Sequence, residues 1–219
     1  FKTVGFEESV WVRPAGGRYP KRIMLSAHID DNLITAETPQ VLEQFKRDFL
    51  SRFKGTDEGE VSQYLGCEFV RDRARRTGEL KQTAYAKRLL QKFDMWEAMP
   101  VKTPLEPGYR LTKDDCPEKV DPELQRKFRM ITGGIGWLSN MTRPDLAFAH
   151  NELSQFLQYP GEEHMKCAIR TLQYLRGTYD LGLKWHDPGR AKRNVLEAFV
   201  DSDFAACKDT RRSQTGYLV

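Results

Sequence analysis

Two adjacent carboxylates, Asp30 and Asp31, stand between two apolar runs, Ile23-Met24-Leu25-Ser26-Ala27-His28-Ile29 before them and Asn32-Leu33-Ile34-Thr35 after them. Side-by-side carboxylates repel, and burying both without compensation is costly. A divalent cation removes that cost. Hard cations such as Mg²⁺ take oxygen ligands, usually one or two carboxylates together with substrate phosphates. Two such ions can clamp the attacking and leaving oxygens of a phosphoryl transfer. The plainer alternative is a solvated hairpin tip, because Asp suits tight turns and water hydrates its charge. A second chemistry-bearing stretch lies between Arg71 and Lys92. It carries eight cations, Arg71, Arg73, Arg75, Arg76, Lys81, Lys87, Arg88 and Lys92, against the acids Asp72 and Glu79. Such a run is either a solvated surface or a phosphate-binding one.

The elements that must position these residues are legible in outline. Val4 to Val12, with Phe6, Val10 and Trp11, reads as one strand, and Arg13 to Gly17 as a turn. Two strands then flank the Asp30-Asp31 tip, giving an antiparallel sheet. Thr38-Pro39 opens a helix as N-cap and first helical residue, with Leu42, Phe45, Phe49 and Phe53 on its buried face. Gly55 to Gly59 is a polar loop. Tyr64 to Val70 reads as a strand, Arg71 to Gly78 as a charged turn and Glu79 to Gln82 as the return strand. Thr83 caps a helix bearing Tyr85, Leu89, Leu90 and Phe93. Residues 105–120 are polar and hold Pro107, Gly108 and Pro117, which reads as a linker.

Asp121-Pro122 starts a second helical region with Leu124, Phe128, Ile131, Ile135 and Leu138 at helical spacing. Gly133, Gly134 and Gly136 weaken it by up to about 1 kcal/mol each relative to Ala and suit a close backbone neighbour. Further helices open at Arg143-Pro144-Asp145, running to about Gln158, and at Gly161-Glu162-Glu163, running to Gly177. Leu181 to Trp185 and Val195 to Val200 form an antiparallel pair. Asp201 and Asp203 close a strand, Arg211-Arg212-Ser213 turns, and Thr215 to Val219 begins another strand.

Composition narrows the class. Of 219 residues, 39% are hydrophobic and 30% charged, and the net charge is +4. That suits a folded core with a mildly basic surface, compatible with nucleic acid. No stretch approaches the ~18 apolar residues of a spanning helix, so no membrane partner is expected. Cys67, Cys116, Cys167 and Cys207 form no C-x-x-C pair, and a reducing intracellular setting is the default. The chain opens on Phe1, as a processed piece or a fragment would.

Five segments, in order, resemble the polymerase of Ty1/copia-type retrotransposons. His28-Ile29-Asp30-Asp31 is similar to the Tyr-X-Asp-Asp hairpin of the reverse-transcriptase palm. Tyr64-Leu65-Gly66-Cys67-Glu68-Phe69 is similar to the Leu-Gly hairpin that grips the primer end. Gln82 to Met95, with Lys102-Thr103-Pro104, resembles the thumb entry. Ile135-Gly136-Trp137-Leu138, Thr142-Arg143-Pro144-Asp145-Leu146-Ala147-Phe148-Ala149 and Leu172 to Thr178 resemble the connection. Phe199-Val200-Asp201-Ser202-Asp203-Phe204-Ala205 with Asp209 to Tyr217 resembles the opening of a ribonuclease H domain.

The resemblance implies an α+β fold: a reverse-transcriptase palm and thumb with an antiparallel sheet, a helical connection, and a truncated ribonuclease H-like α/β start. It divides the chain into 1–104 (distal palm and thumb entry), 105–120 (linker), 121–190 (helical connection) and 191–219 (ribonuclease H-like start). It implies RNA-directed DNA synthesis, by attack of a primer 3′-hydroxyl on a deoxynucleotide. Asp30, Asp31 and Asp201 would be the catalytic, Mg²⁺- or Mn²⁺-binding residues, with Asp203 a weaker candidate. Tyr64, Leu65, Gly66, Arg71, Arg73, Arg75, Arg76, Lys81, Lys87 and Arg88 would bind primer and template. Gly66, lacking a Cβ, would let the primer backbone approach.

The implied partners are an RNA/DNA template-primer, a dNTP and the rest of the retroelement polyprotein. The implied location is intracellular, in cytoplasmic virus-like particles or the nucleus. His28 departs from the usual aromatic residue and reads as a partly buried, hydrogen-bonded histidine. The palm and ribonuclease H sites need further acids, so the isolated chain is expected to neither polymerise nor cleave, and residues 1–36 to present open apolar edges. The readings to be weighed against this one are a non-catalytic nucleic-acid-binding remnant and an unrelated metal-dependent phosphohydrolase.

Overall fold

The computed structural model describes residues 1–5, 7–186 and 197–218. Phe6, residues 187–196 and Val219 lie outside this set, and with them the first part of the expected 195–200 strand. By compactness the chain divides into two units, Phe1–Tyr64 and Leu65–Val219.

The first unit is a four-stranded antiparallel meander of β1 (Lys2–Val4), β2 (Glu7–Arg13), β3 (Ile23–His28) and β4 (Asp31–Ala36), followed by α1 (Pro39–Leu50) and the two-residue strand β5 (Gln63–Tyr64). The single strand expected over Val4–Val12 is in fact two. Gly5 takes φ +55°, the left-handed region, and the chain doubles back so that Lys2 faces Val12. Thr38 caps α1 as its spacing predicts, its hydroxyl facing the Val41 amide at 3.5 Å. Phe45 is buried and Phe49 partly so, as the spacing predicts, but Val41 takes the place expected of Leu42, and the face packs against Tyr19 and Ile23. Phe53 lies past the helix end and is 58% exposed, stacking on Phe49 instead.

The second unit begins with β6 (Cys67–Asp72) and β7 (Thr77–Lys81), an antiparallel hairpin, then α2 (Thr83–Lys92), α3 (Pro122–Met141), α4 (Ala147–Ser154) and α5 (Glu162–Gly177). Strand β8 (Gly182–His186) returns to pair antiparallel with β7. This corrects the expected pairing of 181–185 with 195–200. β9 (Phe199–Ser202) pairs instead with β10 (Thr215–Leu218).

The four helices share one apolar core. Leu89, Leu90, Phe128, Ile131, Ile135, Leu138, Leu153, Leu172 and Leu175 belong to it. Asp121 caps α3 by accepting from the Glu123 amide at 2.9 Å. Two of the three glycines of α3 face side chains rather than another backbone. A Cβ on Gly134 would lie 2.6 Å from Leu89 and one on Gly136 2.5 Å from the His150 ring, while Gly133 faces open space. The N-cap of α2 is Gln82, and Thr83 is its first helical residue. The carboxylate of Glu68, reaching over from β6, accepts the Ala84 amide at 2.8 Å. Residues 105–120 do not hang free as a linker should. Leu105 and Leu111 are buried in the helical core, and Asp115 takes hydrogen bonds from the Thr112 amide and hydroxyl.

The Thr142-Arg143-Pro144-Asp145 stretch turns the chain through a short 3₁₀ helix (Pro144–Leu146) into α4, which ends at Ser154 rather than near Gln158. Arg143 is 2% exposed. Its guanidinium donates to both carboxylate oxygens of Asp145 (3.0 and 2.8 Å) and to the Thr178 carbonyl and hydroxyl (2.7 Å each). It ties the end of α3 to the end of α5.

The β9–β10 hairpin is fastened to the helical body through polar groups. The Lys113 amide donates to the Asp209 carboxylate (3.1 and 3.2 Å), and Gln214 Nε2 to Glu152 (2.9 Å). Arg110 lies 3.7 Å from Asp203 and 4.0 Å from Glu152, with its guanidinium 4.7 Å from the centre of the Phe148 ring.

Candidate functional site

Asp30 and Asp31 come together as the spacing predicts, at the tip of the β3–β4 hairpin. His28 pairs with Asp31, leaving Ile29 and Asp30 as a two-residue loop. Ile29 takes φ +53° with its side chain 89% exposed. A β-branched residue in the left-handed region is strained, and strain of this kind clusters at functional turns. His28 is exposed, not partly buried as its polar character suggests, because it ends the strand on the solvent side. Among the described residues neither Asp30 nor Asp31 has its carboxylate taken up by a hydrogen bond or an ion pair. The Asn32 side chain donates only to the Asp30 carbonyl, at 3.4 Å.

No cluster of three or more His, Cys, Asp or Glu side chains with metal-binding spacing occurs among the described residues. The donor set here is therefore two free, exposed carboxylates. That fits Mg²⁺ or Mn²⁺, which bind through one or two carboxylates and complete their shells with water and phosphate oxygens.

Leu65 and Gly66 both take positive φ, +50° and +77°, so the expected strand over Tyr64–Val70 is broken there by a tight turn. A Cβ on Gly66 would meet only the edge of Trp137, at an ordinary 3.7 Å. Glycine is needed at this position for its backbone angle more than for room.

The basic segment divides. Arg71, Arg73, Arg75 and Arg76 are exposed at the end of the β6–β7 hairpin, whose turn is only residues 73–76, with Arg75 3.7 Å from Asp72. Lys81 lies 3.6 Å from Glu79, which also faces Lys184 at 3.5 Å. Lys87 sits over the rings of Tyr179 (5.2 Å) and Trp96 (5.9 Å), where Arg176 also stacks on Trp96 at 4.6 Å. That places Lys87 in a structural cation–aromatic stack, apart from the hairpin tip. Arg88 is exposed on α2, 6.0 Å from the Tyr85 ring.

Asp201 is exposed on β9, its carboxylate accepting, among the described residues, the Ser202 amide (2.9 Å). Asp203 differs. Its Oδ1 accepts the Gln214 amide at 2.9 Å, and Arg110 lies nearby, so it holds the hairpin together. Two residues escaped the sequence reading. Arg110 lay in the presumed linker, and Trp185 read only as part of a strand. The local pattern could not have shown either, because each gains its neighbours from distant parts of the chain.

The fold and the site define a mixed helix–sheet protein that presents one carboxylate hairpin and, in its second unit, one arginine-rich hairpin. A family profile described as "Reverse transcriptase (RNA-dependent DNA polymerase)" matches residues 1–107. The chain is 35% identical over 201 residues to the retrovirus-related Pol polyprotein from transposon TNT 1-94 of Nicotiana tabacum, covering 90% of this chain and 15% of that protein. It is 34% identical over 198 residues to the Pol polyprotein from transposon RE1 of Arabidopsis thaliana, covering 90% and 13%. An uncharacterised mitochondrial protein of Arabidopsis thaliana is 34% identical over 195 residues, with 88% of this chain and 76% of that protein aligned. No solved structure matches. The chain belongs to the reverse-transcriptase family of Ty1/copia-type retrotransposons. It spans about a seventh of the length of the Pol polyproteins it matches.

Proposed function

We propose that this segment supplies Asp30 and Asp31 to the polymerase centre of a copia-type Pol polyprotein that copies RNA into DNA. The observation that carries the reading is the pair of exposed carboxylates, free of protein partners, at a strained hairpin tip. Asp30 and Asp31 would hold Mg²⁺ or Mn²⁺, which when bound supplies Lewis-acid stabilisation of phosphoryl oxygens. The two-residue loop holds the two carboxylates on adjacent residues at one hairpin tip, where both would be within reach of one metal–phosphate group. The Leu65-Gly66 turn and the arginines of the β6–β7 hairpin would bind the template-primer, and the remainder of the polyprotein would complete the carboxylate set. Asp201 would play the corresponding part in a ribonuclease H-like region. The setting is intracellular, in a virus-like particle or the nucleus.

The test is primer extension with an RNA template, a DNA primer and dNTPs. The polyprotein product containing this segment extends the primer, and Asp30→Asn with Asp31→Asn abolishes extension. Retained extension in that variant overturns the proposal. The isolated 219-residue chain is expected to be inactive, and extension above its own double Asp30→Ala, Asp31→Ala control would refute that expectation.

A second reading is a nucleic-acid-binding element without catalysis, favoured by the arginine cluster of the β6–β7 hairpin. Binding through phosphates alone falls steeply with salt whether or not Mg²⁺ is present.

A further inference from the structure

We infer that Trp185 forms a base-stacking platform for unpaired nucleic acid, flanked by the arginines of the β6–β7 tip. The inference rests on the nucleic-acid reading above and adds to it a residue of β8, distant in sequence from those arginines.

Arg71, Gly78 and Trp185 stand opposite one another across β6, β7 and β8. In antiparallel strands such a row shares one face of the sheet. Gly78 has no side chain, and the indole takes the space. A Cβ built on Gly78 would lie 2.3 Å from Trp185 Cε2 and Cζ2 and 2.6 Å from Nε1. Gly78 is consequently buried, while Trp185 remains 48% exposed. The ring rests against the Gly78 backbone, and about half of the residue stays open to solvent. A single exposed apolar side chain is ordinary on a protein surface, and what distinguishes this one is its rim. The rim here is cationic. A concavity beside the indole is lined by Arg71, Asp72, Arg73, Arg76, Thr77 and Trp185.

Charge favours a polyanion, since Arg71, Arg73 and Arg76, all exposed, are among the described residues of that lining. The aromatic face selects among polyanions. A planar partner with its own π-face gains from stacking, and every unpaired base offers one regardless of sequence. Bases within a duplex have both faces covered by neighbours, so the platform fits a single strand or a strand end. Guanidinium groups match phosphate oxygens on either side of the stacked base.

The test uses the whole chain and two fluorescein-labelled probes read by anisotropy: (dT)12 and a twelve-unit abasic phosphodiester of equal charge. Wild type is expected to bind (dT)12 about 5- to 150-fold more tightly than the abasic probe, the range of one base–aromatic stack. Trp185→Ala removes that preference and leaves both the abasic affinity and the salt slope unchanged. Arg71→Gln weakens both probes and lowers the salt slope by about 0.7, as loss of one phosphate contact to a single strand requires.

Tryptophan emission supplies a readout that does not need the alanine variant to fold. Subtracting the Trp185→Phe signal from wild type isolates Trp185, which is quenched by (dT)12 and not by the abasic probe. Binding of both probes without preference, a preference that survives Trp185→Ala, or unquenched Trp185 emission each overturns the platform while leaving phosphate binding intact. Failure to bind either probe at low salt overturns the nucleic-acid reading itself.

Discussion

Removing the Asp145 carboxylate should damage the helical body more than removing its arginine partner. Arg143 is 2% exposed, and four of its hydrogen bonds go to Asp145 and Thr178. Asp145→Ala leaves the guanidinium buried without a counter-ion, which costs about 3–5 kcal/mol. Arg143→Met leaves the opposite case, a carboxylate whose side chain is 36% exposed and can be hydrated. Its cost is the unpaired Thr178 carbonyl and the altered packing, about 1–3 kcal/mol. The double variant removes the stranded charge and should be more stable than Asp145→Ala alone. The assay is urea unfolding followed by amide exchange within α3 and α5, which reports on the helical body apart from the first unit. With a slope of about 3 kcal/mol per molar urea, Asp145→Ala lowers the midpoint by about 1–1.7 M.

A pH series gives a second check. Burial pushes the Asp145 carboxyl up, but the hydrogen bonds and charge of Arg143, with the Tyr174 hydroxyl at 2.9 Å, outweigh it and hold the carboxyl below its ordinary value. A lowered folded pKa stabilises above the unfolded value, near 3.9, and that stability disappears as pH falls through the folded one. The gap between wild type and Asp145→Asn should therefore close in acid. A midpoint shift under about 0.3 M for Asp145→Ala, or a double variant whose loss equals the sum of the singles, would refute the reasoning.

Three further outcomes are expected. Gly134→Ala drives a methyl into Leu89 and costs about 1–3 kcal/mol, whereas Gly133→Ala meets open space and stabilises α3 by up to about 1 kcal/mol, both read as thermal midpoints. Thiol labelling at pH 8 proceeds first at Cys207, whose pKa is lowered by the Thr210 hydroxyl and amide. It proceeds last at Cys167, which burial pushes up to about 11, and the order is checked by mass spectrometry of timed aliquots. Asp30→Asn and Asp31→Asn leave stability within about 0.5 kcal/mol of wild type, since both side chains are exposed and unpartnered, and a larger loss of urea midpoint would give them a structural role.

What the sequence showed and what it hid divide along sequence distance. The Asp30-Asp31 hairpin, the Thr38-Pro39 and Asp121-Pro122 helix starts and the α5 boundaries depend on residues within a turn of one another, and all were legible. The misreadings have nonlocal or conformational causes. Gly5 and Leu65-Gly66 interrupt strands through positive φ, which apolar alternation does not register. Residues 105–120 look polar, yet Leu105 and Leu111 find a core built from helices elsewhere. Arg143 reads only as part of a helix opening, and its burial depends on Thr178, which meets it from the end of α5. At the candidate site, the carboxylate pair was visible from types alone. The separation of Lys87 from the arginine tip was not, because it depends on Trp96 and Tyr179.

The pairing of Lys81 with Gly182 closes a sheet around all of α2 through α5. During synthesis, β7 leaves the ribosome with unsatisfied amides and carbonyls along one side, and nothing local can cover them. They wait for Gly182–His186, made only after the whole helical body. Closing so long a loop is slow, since its entropy must be lost before the contacts form. Until then the exposed strand can pair with another nascent chain emerging nearby. Polyproteins translated on crowded polysomes would meet that hazard most often. A chain cut before Gly182 would keep β7 an open template for aggregation rather than fold as a smaller version of the same unit.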